Sequence, residues 1–156
     1  MTYYIFVKDD KINGSGEAIV LNENILSVIV SPEIYKDFLE NPNKYSYSNG
    51  EIVLNPNYEA ELKQQEAERI AMLNLTAADV ERGIYKAKGM DFDDIISLVQ
   101  TYPQEGLDVK ALKIELKANN FYRGNPYVSA IGKMLDFTEQ QLNKFFEDGN
   151  YEHLID

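Results

Sequence analysis

Between Asn55 and Leu73 the chain reads NPNYEAELKQQEAERIAML, and the spacing of its apolar residues changes across that stretch. Before it, Val, Ile and Tyr alternate in short runs broken by turn formers, the period of two that a half-buried strand imposes. After it, apolar residues recur every three or four positions, the period of a helix with one buried face. One kind of element cannot serve both periods, so the chain is expected to be α+β. The reading is a small β-rich module over residues 1–55, a meander carrying one short helix. A connecting helix follows over 56–74, and a C-terminal five-helix bundle over 75–156.

Within the first module, TYYIFVK predicts an opening strand, since Tyr3, Ile5 and Val7 alternate with Tyr4 and Phe6. DDKINGSG predicts a turn centred on Asn13-Gly14, because both residues tolerate positive φ, and EAIVL supplies a return strand. ILSVIV predicts a third, more fully buried strand. SPEIYKDFLENP predicts a short helix capped by Ser31, with Pro32 in its first turn and Ile34, Phe38 and Leu39 on one face. YSYSNGEIVL predicts a hairpin turning on Asn49-Gly50.

The connecting helix is predicted to start near Asn57, with Glu59 and Glu61 where the helix dipole favours acids and Arg69 toward its end. Tyr58, Leu62, Ile70 and Leu73 give it a thin apolar stripe, which suits a narrow packing seam or a free-standing spacer. Beyond it, five capped helices are predicted. Thr76 precedes AADVERGIYKAK, with Val80, Ile84 and Tyr85 inward and Gly89 as the stop. Asp91 caps FDDIISLVQTY, Asp108 opens VKALKIELKANN, NPYVSAIGKML carries Pro126 at its start, and Thr138 caps EQQLNKFFEDGN before Gly149. LNLTAADVERGIY and LDFTEQQLNKFF are loosely alike, which either a duplicated unit or one good cap used twice explains.

Composition narrows the function. The 156 residues contain no cysteine, so disulfides, thiolate metal sites and cysteine nucleophiles are excluded. The formal net charge is -11, and acids outnumber bases on both sides of the junction, 8 to 4 through Asn55 and 18 to 11 after it. A polyanion would be repelled, so nucleic acid is not an expected partner. No apolar run approaches the roughly 18 residues that cross a bilayer, and MTYYIFVKDD lacks the basic start of a signal peptide. The expected location is a host cytoplasm, with incorporation in a virion as a further option, and no membrane partner is expected.

Catalytic constellations are scarce. The lone histidine, His153, stands three residues from the C-terminus, where chains commonly fray. Asp91 to Asp94, DFDD, has the acids of a cation site but reads better as a helix N-terminus. Asp148, Asn150 and Glu152 mimic the alternate spacing of a calcium loop without its glycine or its final glutamate. GSG at Gly14 to Gly16 lacks the fingerprint of a phosphate loop. The expectation is therefore no enzyme, no metal, no cofactor and no small-molecule substrate. The candidate protein-contact residues are Phe121, Tyr122, Arg123 and Tyr127 in NNFYRGNPY, where aromatics stand beside an arginine among turn formers. The same residues can instead plug the base of a helical bundle, with Arg123 at the surface paired with an acid.

The order of features from SPEIYKDFLENP through YSYSNGEIVL to NPNYE and the charged helix resembles small accessory proteins encoded beside tail-fibre and baseplate genes in phages and prophages of Gram-positive bacteria. The positions that carry the resemblance are Tyr45, Tyr47, Asn49, Gly50, Ile52, Val53 and Asn55 to Glu59, within residues 30–73. It implies a non-enzymatic structural or accessory protein, associated with a tail, that joins two contacts through the connecting helix. A small acidic regulatory or partner-binding protein is the alternative. In either case the expected partner is a protein or a second copy of the chain.

Overall fold

The computed structural model describes residues 1–103 and 107–155, and they form two compact units, Met1–Gln64 and Gln65–Asp156. The first unit opens with β1 (Tyr3–Lys8), β2 (Lys11–Gly16) and β3 (Leu26–Val30), an antiparallel sheet in the order β2-β1-β3. The turn between β1 and β2 is not Asn13-Gly14. Asp9 and Asp10 make it, with φ of 49° and 59°, a left-handed pair that short polar side chains tolerate. Gly14 and Gly16 lie instead inside β2 beneath the Phe6 ring, where a Cβ at Gly16 would come within 3.0 Å of that ring. The glycines are there to let an aromatic lie flat on the strand. Asn13 is the extra residue where the register shifts, Phe6 facing Gly14 and Val7 facing Ile12.

EAIVL is not a return strand. It belongs to the loop before β3, and Val20 donates its N–H to Ser27 Oγ at 3.2 Å. On the inner face Tyr3, Ile5 and Val7 oppose Val30, Val28 and Leu26, and Ile5 is fully buried. The expectation that β3 is the more fully buried strand fails, because it is an edge strand whose Ile29 is 68% exposed. α1 (Pro32–Glu40) starts where Ser31 Oγ accepts the Ile34 N–H at 3.3 Å. It buries Phe38 and stacks Tyr35 on Tyr3 with centroids 4.5 Å apart, while Leu39 points outward at 59% exposure. Tyr35 thus takes the inward place expected of Leu39.

A 3-10 turn (Pro42–Lys44) leads into β4 (Tyr45–Ser48), which pairs with β5 (Glu51–Leu54) around Asn49 and Gly50, φ 51° and 90°, as the sequence predicts. α2 (Tyr58–Met72) follows, and the division between units falls inside it rather than at 55 and 74. Each end has its own ties. Tyr58 donates to Asn41 Oδ1 at 3.4 Å and Asn55 Nδ2 to Glu61 at 3.3 Å, within the first unit. Arg69 reaches both oxygens of Glu147 at 2.8 and 3.0 Å, and Ala71 O accepts the Gly124 N–H at 3.0 Å, within the second.

The second unit contains the five predicted helices: α3 (Ala77–Lys88), α4 (Phe92–Thr101), α5 (Val109–Glu115), α6 (Pro126–Met134) and α7 (Glu139–Asp148). Thr76, Asp91, Asp108, Asn125 and Thr138 cap them through side-chain oxygens, and Gly89 and Gly149 end α3 and α7 in the left-handed region. Ile95, Val99, Leu112 and Phe145 are its most buried side chains. Helices approach closely where side chains are missing: a Cβ on Gly83 would stand 2.5 Å from the Phe145 ring, and one on Gly132 would collide with Leu142. Tyr85, expected inward, is exposed. α5 stops at Glu115, short of the predicted Asn120, because residues 120–122 leave the helix for a strand. That strand, β7 (Asn120–Tyr122), pairs antiparallel with β6 (Asn74–Thr76), placing Leu75 opposite Phe121.

Candidate functional site

The candidate contact segment NNFYRGNPY is part of this joint. Phe121, 3% exposed, lies 5.6 Å from the Phe92 ring, and Arg123 is 5% exposed, against its expected place at the surface. The main chain carries it inward: its N–H bonds Leu73 O at 2.8 Å, extending the β6–β7 pairing. Inside, its guanidinium donates Nε to Asn143 Oδ1 at 2.8 Å, Nη1 to Ser129 Oγ at 3.0 Å and Nη2 to the Glu139 carboxylate. Three rigid donors from one planar group meet acceptors on α6 and α7, so Arg123 fixes the angle between them and β7. Glu139 itself stays largely exposed, which keeps half of the ion pair solvated. Of the four candidates, Tyr122 is exposed at 52% and Tyr127 is half-buried; Phe121 and Arg123 offer no surface to a partner.

The acidic clusters are bound up in local structure. Asp91 Oδ1 accepts the Asp94 N–H at 2.9 Å and Asp94 Oδ2 accepts the Asp91 N–H at 3.1 Å, a reciprocal cap. Asp148 Oδ1 accepts the Asn150 N–H at 2.8 Å, and Asn150 Oδ1 accepts the Glu152 N–H at 3.1 Å. His153 is not in a frayed tail: it lies in a 3-10 turn (Tyr151–Leu154) beside buried Leu154, its Nε2 2.9 Å from Asp148. Among the described residues no group of three or more His, Asp or Glu side chains is placed to hold a metal ion. No helix there is long and apolar enough to cross a membrane.

In the first unit a polar network that the sequence reading missed centres on Asp37. Its carboxylate accepts from Lys44 Nζ at 2.6 Å, Tyr45 OH at 2.5 Å and Asn41 Nδ2 at 3.2 Å. The bond from Lys44, then that from Tyr45, hold the Asp37 carboxyl down at about 2. The network ties α1 to β4, and its only sequence signal is the i, i+4 pair Asp37 and Asn41 followed by Lys44-Tyr45. Beside it runs a groove of about 570 Å³ between β2 and β4, lined by residues 10–15 and 45–47 with Phe38, Pro42, Asn43, Asn55 and Glu61. Its volume falls within the roughly 300–1,000 Å³ typical of binding sites.

Fold and groove together define a two-unit α+β protein whose β unit carries a concave, mixed polar and aromatic surface. Residues 29–62 are similar to a family described as Protein of unknown function (DUF2977). That segment takes in the last two residues of β3, then α1, β4, β5 and the start of α2, and ends two residues before the division between units. No curated protein and no solved structure matches the chain.

Proposed function

We propose that this chain is a non-enzymatic structural or accessory protein that joins two protein contacts, one on each of its units, and that it serves a phage or prophage tail. The observation that carries the reading is the coincidence of two boundaries. The segment that recurs as a family ends at Leu62, and the β unit ends at Gln64, inside the helix that continues into the helical unit. A recurring segment that lies wholly within one unit, with that unit attached through one helix to a separately packed bundle, is the build of an adaptor. The tail setting is what the order of SPEIYKDFLENP, the Asn49-Gly50 hairpin and NPNYE implies by resemblance.

Deleting the gene from an inducible prophage tests this. Electron micrographs of the lysate should show defective or missing tails and a large fall in infectious titre, restored by the gene in trans. Normal tails with an unchanged titre would overturn the reading. The net charge of -11 supports a second reading, an acidic regulator of a host or phage partner. Normal particles made at an altered time or yield after induction would favour it.

A further inference from the structure

Six consecutive residues, 10–15, line one wall of the groove in the β unit, and three consecutive residues, 45–47, line another. Side chains of a strand alternate between two faces, so a surface that meets every residue in turn meets the strand's edge, with its N–H and C=O groups. In a two-residue hairpin the pair flanking the turn is hydrogen-bonded and the next pair turns its N–H and C=O outward. Lys8 and Lys11 flank the Asp9-Asp10 turn, which turns Ile12 outward; Ser48 and Glu51 flank Asn49-Gly50, which turns Tyr47 outward. Among the described residues, no backbone hydrogen bond crosses between β2 and β4, and each strand is paired on one side only.

We propose that the groove is a slot for an extended peptide strand of a partner protein, added along the β2 edge with β4 as the facing wall. The occupant follows from what the walls lack. Unpaired strand edges are satisfied by another strand's main chain, and a long unpaired edge is otherwise a liability. Ile12, Tyr45 and Tyr47, each half-buried, offer apolar contact to alternate side chains of the guest. Among the charged lining residues Asp10 and Glu61 outnumber Lys11, so the guest is neutral or basic. This gives one of the two proposed contacts its chemistry and rests on the adaptor reading only for its biological setting.

The test uses the full chain, labelled with 15N, and the blocked heptapeptide KTVTVTK. Because the main chain carries the contact, a generic basic strand suffices as probe. Saturable shifts at the Ile12 and Tyr47 amides, with slowed hydrogen exchange at both, are expected. The same peptide N-methylated at alternate residues keeps its side chains and loses main-chain donors, and should bind at least about tenfold more weakly. No shift at Ile12 up to millimolar peptide, or equal binding by the methylated peptide, would overturn the slot. So would a concentration-dependent dimer in which both amides are already protected, since a second copy would then be the occupant. Any of these results leaves the deletion phenotype untouched, so the two readings fail separately.

Discussion

Arg123 makes the sharpest residue-level statement, because its side chain is buried and all three of its bonded nitrogens have a named acceptor. Replacing it with alanine strands Asn143 Oδ1 and removes a buried aliphatic stem. We expect Arg123→Ala to cost about 2–3 kcal/mol in urea unfolding. Arg123→Lys should rescue little, since one ammonium cannot reach three acceptors held in a planar fork. Phe121→Ala should cost about 3–5 kcal/mol as a fully buried aromatic, and Tyr122→Ala less than about 0.5 kcal/mol. Equal small losses for Arg123 and Tyr122 would mean that the arginine does not hold the joint. Phe121 could be read as packing from sequence alone. Arg123 could not, because its burial depends on acceptors that come from residues 129, 139 and 143 and on a strand partner some fifty residues earlier.

At the scale of elements, legibility followed the range of the signal. Helix caps need only residues three apart, and Ser31, Thr76, Asp91, Asp108 and Thr138 were all readable. The Asn49-Gly50 turn was equally local. The first hairpin misled because two turn pairs, Asp9-Asp10 and Asn13-Gly14, compete, and the choice is made by Phe6 lying on Gly14 and Gly16. β6 and β7 were invisible, since three-residue strands exist only as a pair. The α1–β4 joint adds a pH prediction. Asp37 titrates at about 2 in the folded chain against an ordinary 3.8, so its contribution is present above about pH 4 and lost as pH falls toward 2. Asp37→Asn should therefore destabilise the chain at pH 7 and make little difference near pH 2. Parallel stability curves for the two proteins across that window would remove Asp37 from the joint.

For the whole molecule, the change of apolar period between Asn55 and Leu73 was enough to read an α+β chain with a β-rich start and a helical bundle. Where one unit stops was not legible, because α2 is a single uninterrupted helix and only its partners, Asn41 at one end, Glu147 and Gly124 at the other, divide it. The groove was also out of reach of sequence, since it joins residues 10–15 to 45–47. The division inside α2 has a direct consequence. A fragment over 65–156 retains Arg69, Ala71 and Leu73 with their partners, whereas a fragment starting at 73 loses the Arg69–Glu147 pair and the Ala71 acceptor. Thermal unfolding of the two fragments, followed by circular dichroism at 222 nm, tests the account most directly. It predicts one cooperative transition for 65–156 and a lower midpoint for 73–156. A gradual, non-cooperative melt of the 65–156 fragment would contradict it, because the helical unit would then have no core of its own.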